Sequence, residues 1–368
     1  MKIRAGVLIK SDASAPYLTS RPLEILELDL EGPAEGELLI RIRAAGVCHS
    51  DLSVVNGTRP RPLPMALGHE CAGVVLESRA DDVNVGDHVV LTFVPRCSSC
   101  SACMSGRPAL CKEAKRANGA GELLRGGHRL SRDGVPINHH LGVSAFADHA
   151  VVDRGSVVVV PKDIPFDVAA LFGCAVLTGA GAIFNTARVQ PGQTVAVWGL
   201  GGVGMAAVMA AGAAGAGEVI AIDPDAGKRE LALQVGATTA LTPEGFTREL
   251  FPDGVDVAIE AVGSSKVLAT AFESTTPGGM TVSVGLPHPT ELMSISPLQL
   301  VAESRTLAGS YLGSADPERD IPIMIDLWRA GRLPVEKLRS RDVPLDDINL
   351  AMDELAAGRV IRQLIIFD

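Results

Sequence analysis

The chain has no excess of positive charge. Its 33 Lys and Arg face 43 Asp and Glu, a formal net charge of −10 at pH 7. Such a balance disfavours nucleic acid or an anionic membrane surface as the main partner. The apolar stretch from Met205 to Ala214 is too short to span a bilayer and reads as a buried helix. The opening residues, Met1 to Lys10, are basic and then briefly apolar, too short for a signal-peptide core, and read as a strand. Internal repeats and low-complexity linkers are also lacking. With no export signal the expected address is cytoplasmic, where 7 cysteines stay as thiols or thiolates. What is present is a folded composition, 21% charged, in 368 residues, enough for two well-cored domains.

The texture of the chain changes along its length. Short β-like runs punctuated by Gly and Pro fill the first half, among them Glu37 to Arg43, Ala72 to Glu77 and His88 to Phe93. They predict a mostly antiparallel β domain with long loops. From about Ala169, apolar β-branched runs alternate with helical segments: Thr194 to Trp198, Val219 to Ile222, Val255 to Ala261 and Met280 to Val284. That alternation predicts a doubly wound parallel sheet, an α/β arrangement. The tail returns to the first texture, with a helix after Pro344 that ends at Gly358 and a strand from Val360 to Phe367. The expected division is 1–176, 177–316 and 317–368, the last segment returning to the first domain.

Cys97, Cys100, Cys103 and Cys111 form a Cys-x-x-Cys-x-x-Cys-x7-Cys stretch. Four thiolates at that spacing can converge on one tetrahedral Zn²⁺, with bonds of about 2.3 Å. Two disulfides, or a redox pair with two bystanders, are the competing explanation. Short Cys-x-x-Cys spans make strained disulfides, so structural zinc in a lobe over about 95–113 is preferred. A closed four-sulfur site leaves no open position, so chemistry must lie elsewhere.

Gly199-Leu200-Gly201-Gly202-Val203-Gly204 follows a strand and opens a helix. In that context the glycines permit a tight turn, close approach to a pyrophosphate and close helix–strand packing. Asp223 ends the next strand, where an acid grips a ribose 2′-hydroxyl and repels a 2′-phosphate. NAD is therefore favoured over NADP, with Lys228 and Arg229 nearby read as a solvated helix face.

Cys48, His69 and Cys174 each have a bland reading taken singly, as buried residues. Were they to converge, two thiolates and an imidazole would hold a zinc with one position open, with Asp51 and Glu70 orienting them. Gly46-Val47-Cys48-His49-Ser50-Asp51, Gly68-His69-Glu70, the four-cysteine lobe, Gly173-Cys174 and the glycine loop together resemble the zinc-containing medium-chain alcohol dehydrogenases, in the same order along nearly the whole chain. The resemblance implies a GroES-like catalytic domain plus a Rossmann domain, with the active site in the cleft between them. It implies catalytic zinc on Cys48, His69 and Cys174, and structural zinc on Cys97, Cys100, Cys103 and Cys111. By the same resemblance Ser50 takes the hydroxyl proton, with His49, Asp51 and Glu70 beside it in the catalytic set. Cofactor contacts carried over are Gly199, Leu200, Gly201, Gly202, Val203, Gly204, Asp223, Lys228, Val262, Val284, Leu286 and Arg362, the last facing the pyrophosphate together with His49. Phe93, Phe146 and Leu286, with Ser50, match positions lining an alcohol pocket.

The implied reaction is reversible hydride transfer between a primary alcohol and NAD. A rival in the same family oxidises the glutathione adduct of formaldehyde, but its branch carries acidic residues after the Cys-His-x-Asp motif. Here Leu52 to Leu67 holds Arg59 and Arg61 and no acid. A non-catalytic NAD-binding protein is the rival from another class. Relatives often place a His where this chain has Ser53, which cannot act as a base near neutral pH. Cys71 reads as a buried thiol. His139 and His140, being adjacent, point to opposite faces of a strand and read as ordinary residues. The stretch from Lys112 to Gly134 reads as an exposed loop, and a homodimer or homotetramer is expected.

Overall fold

The computed structural model describes residues 1–368, which divide into two compact units. The first comprises Met1–Cys174, Asp316–Glu318 and Arg339–Asp368, and the second Ala175–Ala315 and Arg319–Leu338.

The first unit holds a closed five-stranded barrel of Lys2–Leu8, Leu23–Leu30, Leu130–Arg132, Val135–His139 and Met65–Ala66. A seven-stranded sheet is organised around the long strand Glu37–Val47. Along that strand Leu38, Ile40, Ile42 and Ala44 are fully buried while Arg41 is exposed, the period-two alternation of a sheet with one face inward. Each buried Leu or Ile contributes about 2 kcal/mol relative to exposure, which makes this face the anchor of the unit. Three pairings then fix the positions that matter. Val47 pairs with Gln363, Ala45 with Cys71, and Cys71 in turn with Leu91. The residues flanking these pairs, Cys48, Glu70 and Arg362, are thereby brought to one end of the sheet.

The second unit carries a six-stranded parallel sheet in the order Thr239–Leu241, Glu218–Ile222, Thr194–Trp198, Val255–Glu260, Thr275–Ser283, Thr306–Gly309. The strand order reverses direction after Thr194–Trp198, the place where open α/β sheets bind dinucleotides. Helix Gly202–Ala214 is buried nearly all round, as its alanines and glycines permit.

Two expectations need correction. The second crossing falls at Leu338–Arg339, not at 317. Ile321, Met324, Ile325, Leu333, Val335 and Leu338 are all buried, and they keep the helix Pro317–Arg329 and the following turn with the parallel sheet. The stretch from Lys112 to Gly134 is not a plain exposed loop. Helix Lys112–Ala120, capped by Cys111 and ended by Gly121 at φ 73°, buries Ala114 and Ala117, and Leu123 and Leu130 follow into the core. Alanines gave that buried face no strong apolar period. Finally, the helical run Phe166–Ala187 is long and apolar enough to cross a membrane, yet 89% of its apolar window is buried, as in a core helix.

Candidate metal centres and nucleotide loop

Three groups of ligand-type side chains, all in the first unit, lie close enough to hold a metal ion: the four lobe cysteines, the set around Cys48, and Asp51, His69 and His140, which shares His69 with the second. In the lobe, Cys97 Sγ lies 3.9 Å from Cys103 Sγ, and Cys100 Sγ lies 3.9 Å from Cys111 Sγ. A disulfide needs about 2.05 Å. Tetrahedral zinc with bonds of about 2.3 Å sets its sulfurs about 3.8 Å apart, so the spacing fits a metal. Backbone N–H groups of Cys100 and Ala114 point at the sulfurs of Cys97 and Cys111. Backbone N–H groups of Cys103 and Lys112 pull the Cys100 thiol down to about 6, whereas burial pushes Cys103 up to about 12.

The second cluster is Cys48, His69, Glu70 and Cys174, all buried, with ligand atoms within 4.8 Å of one another. Each arrives for a local reason. Cys48 is the N-cap of helix His49–Val55, and Asp51 closes the cap by accepting from the Cys48 N–H at 3.1 Å. His69 and Glu70 follow Gly68, whose φ of 92° and contact with the Phe146 backbone leave no room for a side chain. Cys174 lies in a π-helical turn, Phe172–Val176, and a Cβ on Gly173 would sit 2.5 Å from the Leu91 carbonyl oxygen.

Electrostatics match a cation-binding role. His69 Nε2 is buried without a hydrogen-bond partner, as are both carboxylate oxygens of Glu70. Burial raises the Glu70 carboxyl to about 7, against the pull of Arg362. The hydrogen bond between the Cys48 and Cys174 sulfurs draws Cys48 well below the usual thiol range and Cys174 well above it. Arg362 and His69 add to the drop at Cys48. Asp51 accepts from Gly68 N–H at 3.2 Å and faces His69 Nδ1 at 3.0 Å. Burial opposes its charge, but His69 and His140 outweigh that and hold it below the ordinary carboxylate range. With Nδ1 donating to Asp51, His69 keeps the lone pair of Nε2 for a metal.

The remaining sequence-derived residues fall in varied places. Ser50 is half-buried, and its carbonyl accepts from Ser53 Oγ at 2.8 Å. His49 is exposed. Phe93 meets the His69 ring edge-on at 5.3 Å. Phe146 is fully buried, packed against the Gly68 backbone within the core, and presents no free face. Arg362 is 3% exposed, with Nη1 donating to the Val47 carbonyl and Nε 3.5 Å from Glu70, so its charge acts first on the metal-side groups. Cys71 is a buried thiol pushed up by its surroundings.

Sequence reasoning missed His140. It lies just past the strand that ends at His139, with Nδ1 3.1 Å from Asp51 Oδ1, off the line of a good hydrogen bond, and its ring 5.5 Å from that of His69. His139 turns elsewhere and accepts from Arg129 N–H at 3.0 Å. The adjacency of the two histidines does send them apart, but nothing in their spacing reveals that one reaches Asp51.

In the second unit, Gly199 has φ 87°, and a Cβ on Gly204 would strike the Gly199 carbonyl oxygen. A Cβ on Gly201 would meet nothing within 4 Å, which leaves open space at the N-terminus of helix Gly202–Ala214. Asp223 accepts from the N–H groups of Leu200 and Asp225 at 2.8 and 2.9 Å. Arg229 donates to the Asp223 and Pro224 carbonyls. Lys228 is half-buried, Val262 and Leu286 are exposed, and Val284 is half-buried.

Family models agree with these two units. The alcohol dehydrogenase GroES-like domain matches residues 34–162, and the zinc-binding dehydrogenase model matches residues 202–329. An S-(hydroxymethyl)glutathione dehydrogenase of Escherichia coli O1:K1 / APEC is 36% identical over 97% of this chain and 100% of its own length. A zinc-binding-domain alcohol dehydrogenase from Burkholderia ambifaria superposes with a TM-score of 0.93 at 32% identity, over 100% of this chain and 99% of that one. Benzyl alcohol dehydrogenase from Acinetobacter calcoaceticus superposes at 0.92 and 30% identity over 100% of both chains. With ligand clusters, glycine loop and whole-length similarity in agreement, the chain belongs to the zinc-containing medium-chain alcohol dehydrogenase family, NAD-dependent oxidoreductases.

Proposed function

We propose that this protein oxidises primary alcohols with an aliphatic or aromatic body, reversibly, using NAD. The observation that carries the reading is the buried donor set Cys48, His69, Glu70 and Cys174, with His69 Nε2 left unpartnered. Cys48, His69 and Cys174 are the proposed ligands of one zinc, and Cys97, Cys100, Cys103 and Cys111 those of another. When bound, the first zinc would supply Lewis acidity at the alcohol oxygen, and NAD would supply the hydride acceptor.

The chain's own groups do the rest. Asp51 holds the His69 tautomer and ring orientation through the 3.0 Å contact. Ser50 is proposed to accept the hydroxyl proton, from a first helical turn fixed by the Cys48–Asp51 cap. The open space at Gly201 and the unpaired N–H groups of its helix would receive the pyrophosphate, and Asp223 the ribose hydroxyls. Arg362 would stabilise the thiolates beside it. Association as a homodimer is part of the reading. It is supported by the edge strand Thr306–Gly309 and by Leu298 and Val301, 74% and 76% exposed. Seven free cysteines fit a cytoplasmic address.

A second reading, oxidation of the glutathione adduct of formaldehyde, is favoured by the printed function of the curated relative. The absence of any acid from Leu52 to Leu67 speaks against it. The deciding experiment follows NADH absorbance with benzyl alcohol, hexanol, and formaldehyde plus glutathione, alongside metal analysis. Turnover of the free alcohols with two zinc ions per chain is expected. Turnover of the glutathione mixture alone would favour the second reading, and no turnover with any of them would defeat the primary-alcohol reading.

A further inference from the structure

Asn118 is a buried amide near the end of helix Lys112–Ala120, about two turns beyond the lobe's Cys111, which caps that helix. Its Nδ2 donates to the Phe93 carbonyl at 2.8 Å, and its Oδ1 meets no protein donor, so the amide's hydrogen bonding within the protein goes to Phe93 alone. The Phe93 ring meets the His69 ring at 5.3 Å and 88°. A second ring, that of His140, meets His69 at 5.5 Å and again at 88°. It follows His139, whose N–H donates at 2.7 Å to the carbonyl of Gly121, the C-cap of the same helix. Both rings set across the His69 imidazole are therefore tied to the end of one helix.

Resting on the ligand role proposed above for His69, we infer that Asn118 is a positioning residue, holding Phe93 and through it the imidazole that faces Cys48 and Cys174. Asp51 restrains His69 only at Nδ1, and a single hydrogen bond leaves the ring free to tilt about it. A perpendicular aromatic ring in contact with the imidazole blocks that tilt, and outer partners of this kind govern how tightly a ligand holds its metal. The brace is stiff because it is helical. From Cys111 to Asn118 it rises about 10 Å, so the Phe93 carbonyl is held from the four-cysteine lobe rather than from its own loop. Four cysteines remote from the chemistry thereby gain a part in it.

The test follows zinc release from the loaded full chain to a chromogenic chelator, with no substrate present. The phase missing from Cys174→Ser identifies the Cys48–His69–Cys174 site. Asn118→Leu keeps the side-chain volume and removes the donor. It should speed release from that site at least about fivefold and leave release from the lobe unchanged. In turnover, kcat for benzyl alcohol should fall while KM for NAD, bound in the other unit, stays within about twofold. Ala114→Gly is the control, because it loosens the same helix but keeps the amide. If Asn118→Leu does not fold, Asn118→Ser, too short to reach the Phe93 carbonyl, is read in the same way. Release from the site within about twofold of the parent's overturns the inference, as does equal acceleration in Ala114→Gly. Either result in a chain that oxidises benzyl alcohol leaves the dehydrogenase reading intact. A parent chain that holds zinc at the lobe alone defeats both.

Discussion

His69 Nδ1 stands 3.0 Å from Asp51 Oδ1, with both side chains almost wholly buried. The carboxylate is also tied to Cys48 N–H and Gly68 N–H, so one residue orients the ends of two proposed ligand segments. Asp51→Asn keeps the shape but removes the charge and lets the amide present a donor to the ring. Metal affinity at the Cys48–His69–Cys174 site should fall about 10–100-fold, the usual cost of losing such an outer partner. Chelator competition on the purified protein checks this, and unchanged zinc retention would refute it.

Cofactor choice should rest on Asp223. Its two oxygens are steadied by the N–H groups of Leu200 and Asp225, so the charge is fixed at the end of its strand. Arg229, a nearby countercharge, is turned to backbone carbonyls. NAD should be used more efficiently than NADP, and Asp223→Gly should narrow the gap. Comparable kcat/KM for the two cofactors in the parent protein would show that Lys228 or Arg229 dominates instead.

Proton release should be affected by Ser53. Its hydroxyl donates to the Ser50 carbonyl at 2.8 Å, one helical turn back, and is not a base. Alcohol oxidation should therefore rise into alkaline pH without a break near the ordinary His value of about 6.5. Ser53→His should raise the rate at neutral pH and flatten the profile. An active variant with the parent's pH–rate curve would mean that proton release is not limiting.

Acid stability should depend on His139. Burial pushes this imidazole down to about 3, and its Nε2 accepts from Arg129 N–H. Between about 3 and the unfolded value of about 6.5 the unfolded chain binds the extra proton, so stability is full above that window and lost as pH falls through it. His139→Gln retains an acceptor but does not titrate. Its thermal midpoint should fall less steeply than the parent's between pH 6.5 and 4, and parallel curves would count against the assignment.

Local chemistry was readable in the sequence wherever spacing alone determines geometry. The four lobe cysteines lie within one short segment, so their convergence on a single centre follows from chain connectivity. The glycine loop is legible because strand, turn and helix occur consecutively. The alternating texture likewise gave the parallel sheet and its β-rich companion. Long-range contacts were less legible. The reach of His140 to Asp51 depends on how the barrel strand Val135–His139 ends against Met65–Ala66, which no local pattern encodes. Phe146 has the composition of a pocket residue, yet the missing side chain at Gly68 draws it into the core. The helix Pro317–Arg329 has an apolar face that fits either unit, and only tertiary packing assigns it.

Cys174 is the last residue of the first unit before the chain leaves it. A metal held by Cys48, His69 and Cys174 would therefore act as a clasp, closing the long loop between the start of helix His49–Val55 and the departure point of the chain. Loop closure is an entropic constraint on the unfolded chain, so the same atoms that serve catalysis would also restrict the unfolding of this unit. Activity and resistance to unfolding would then decline together as the metal is withdrawn, even though the lobe cysteines are untouched.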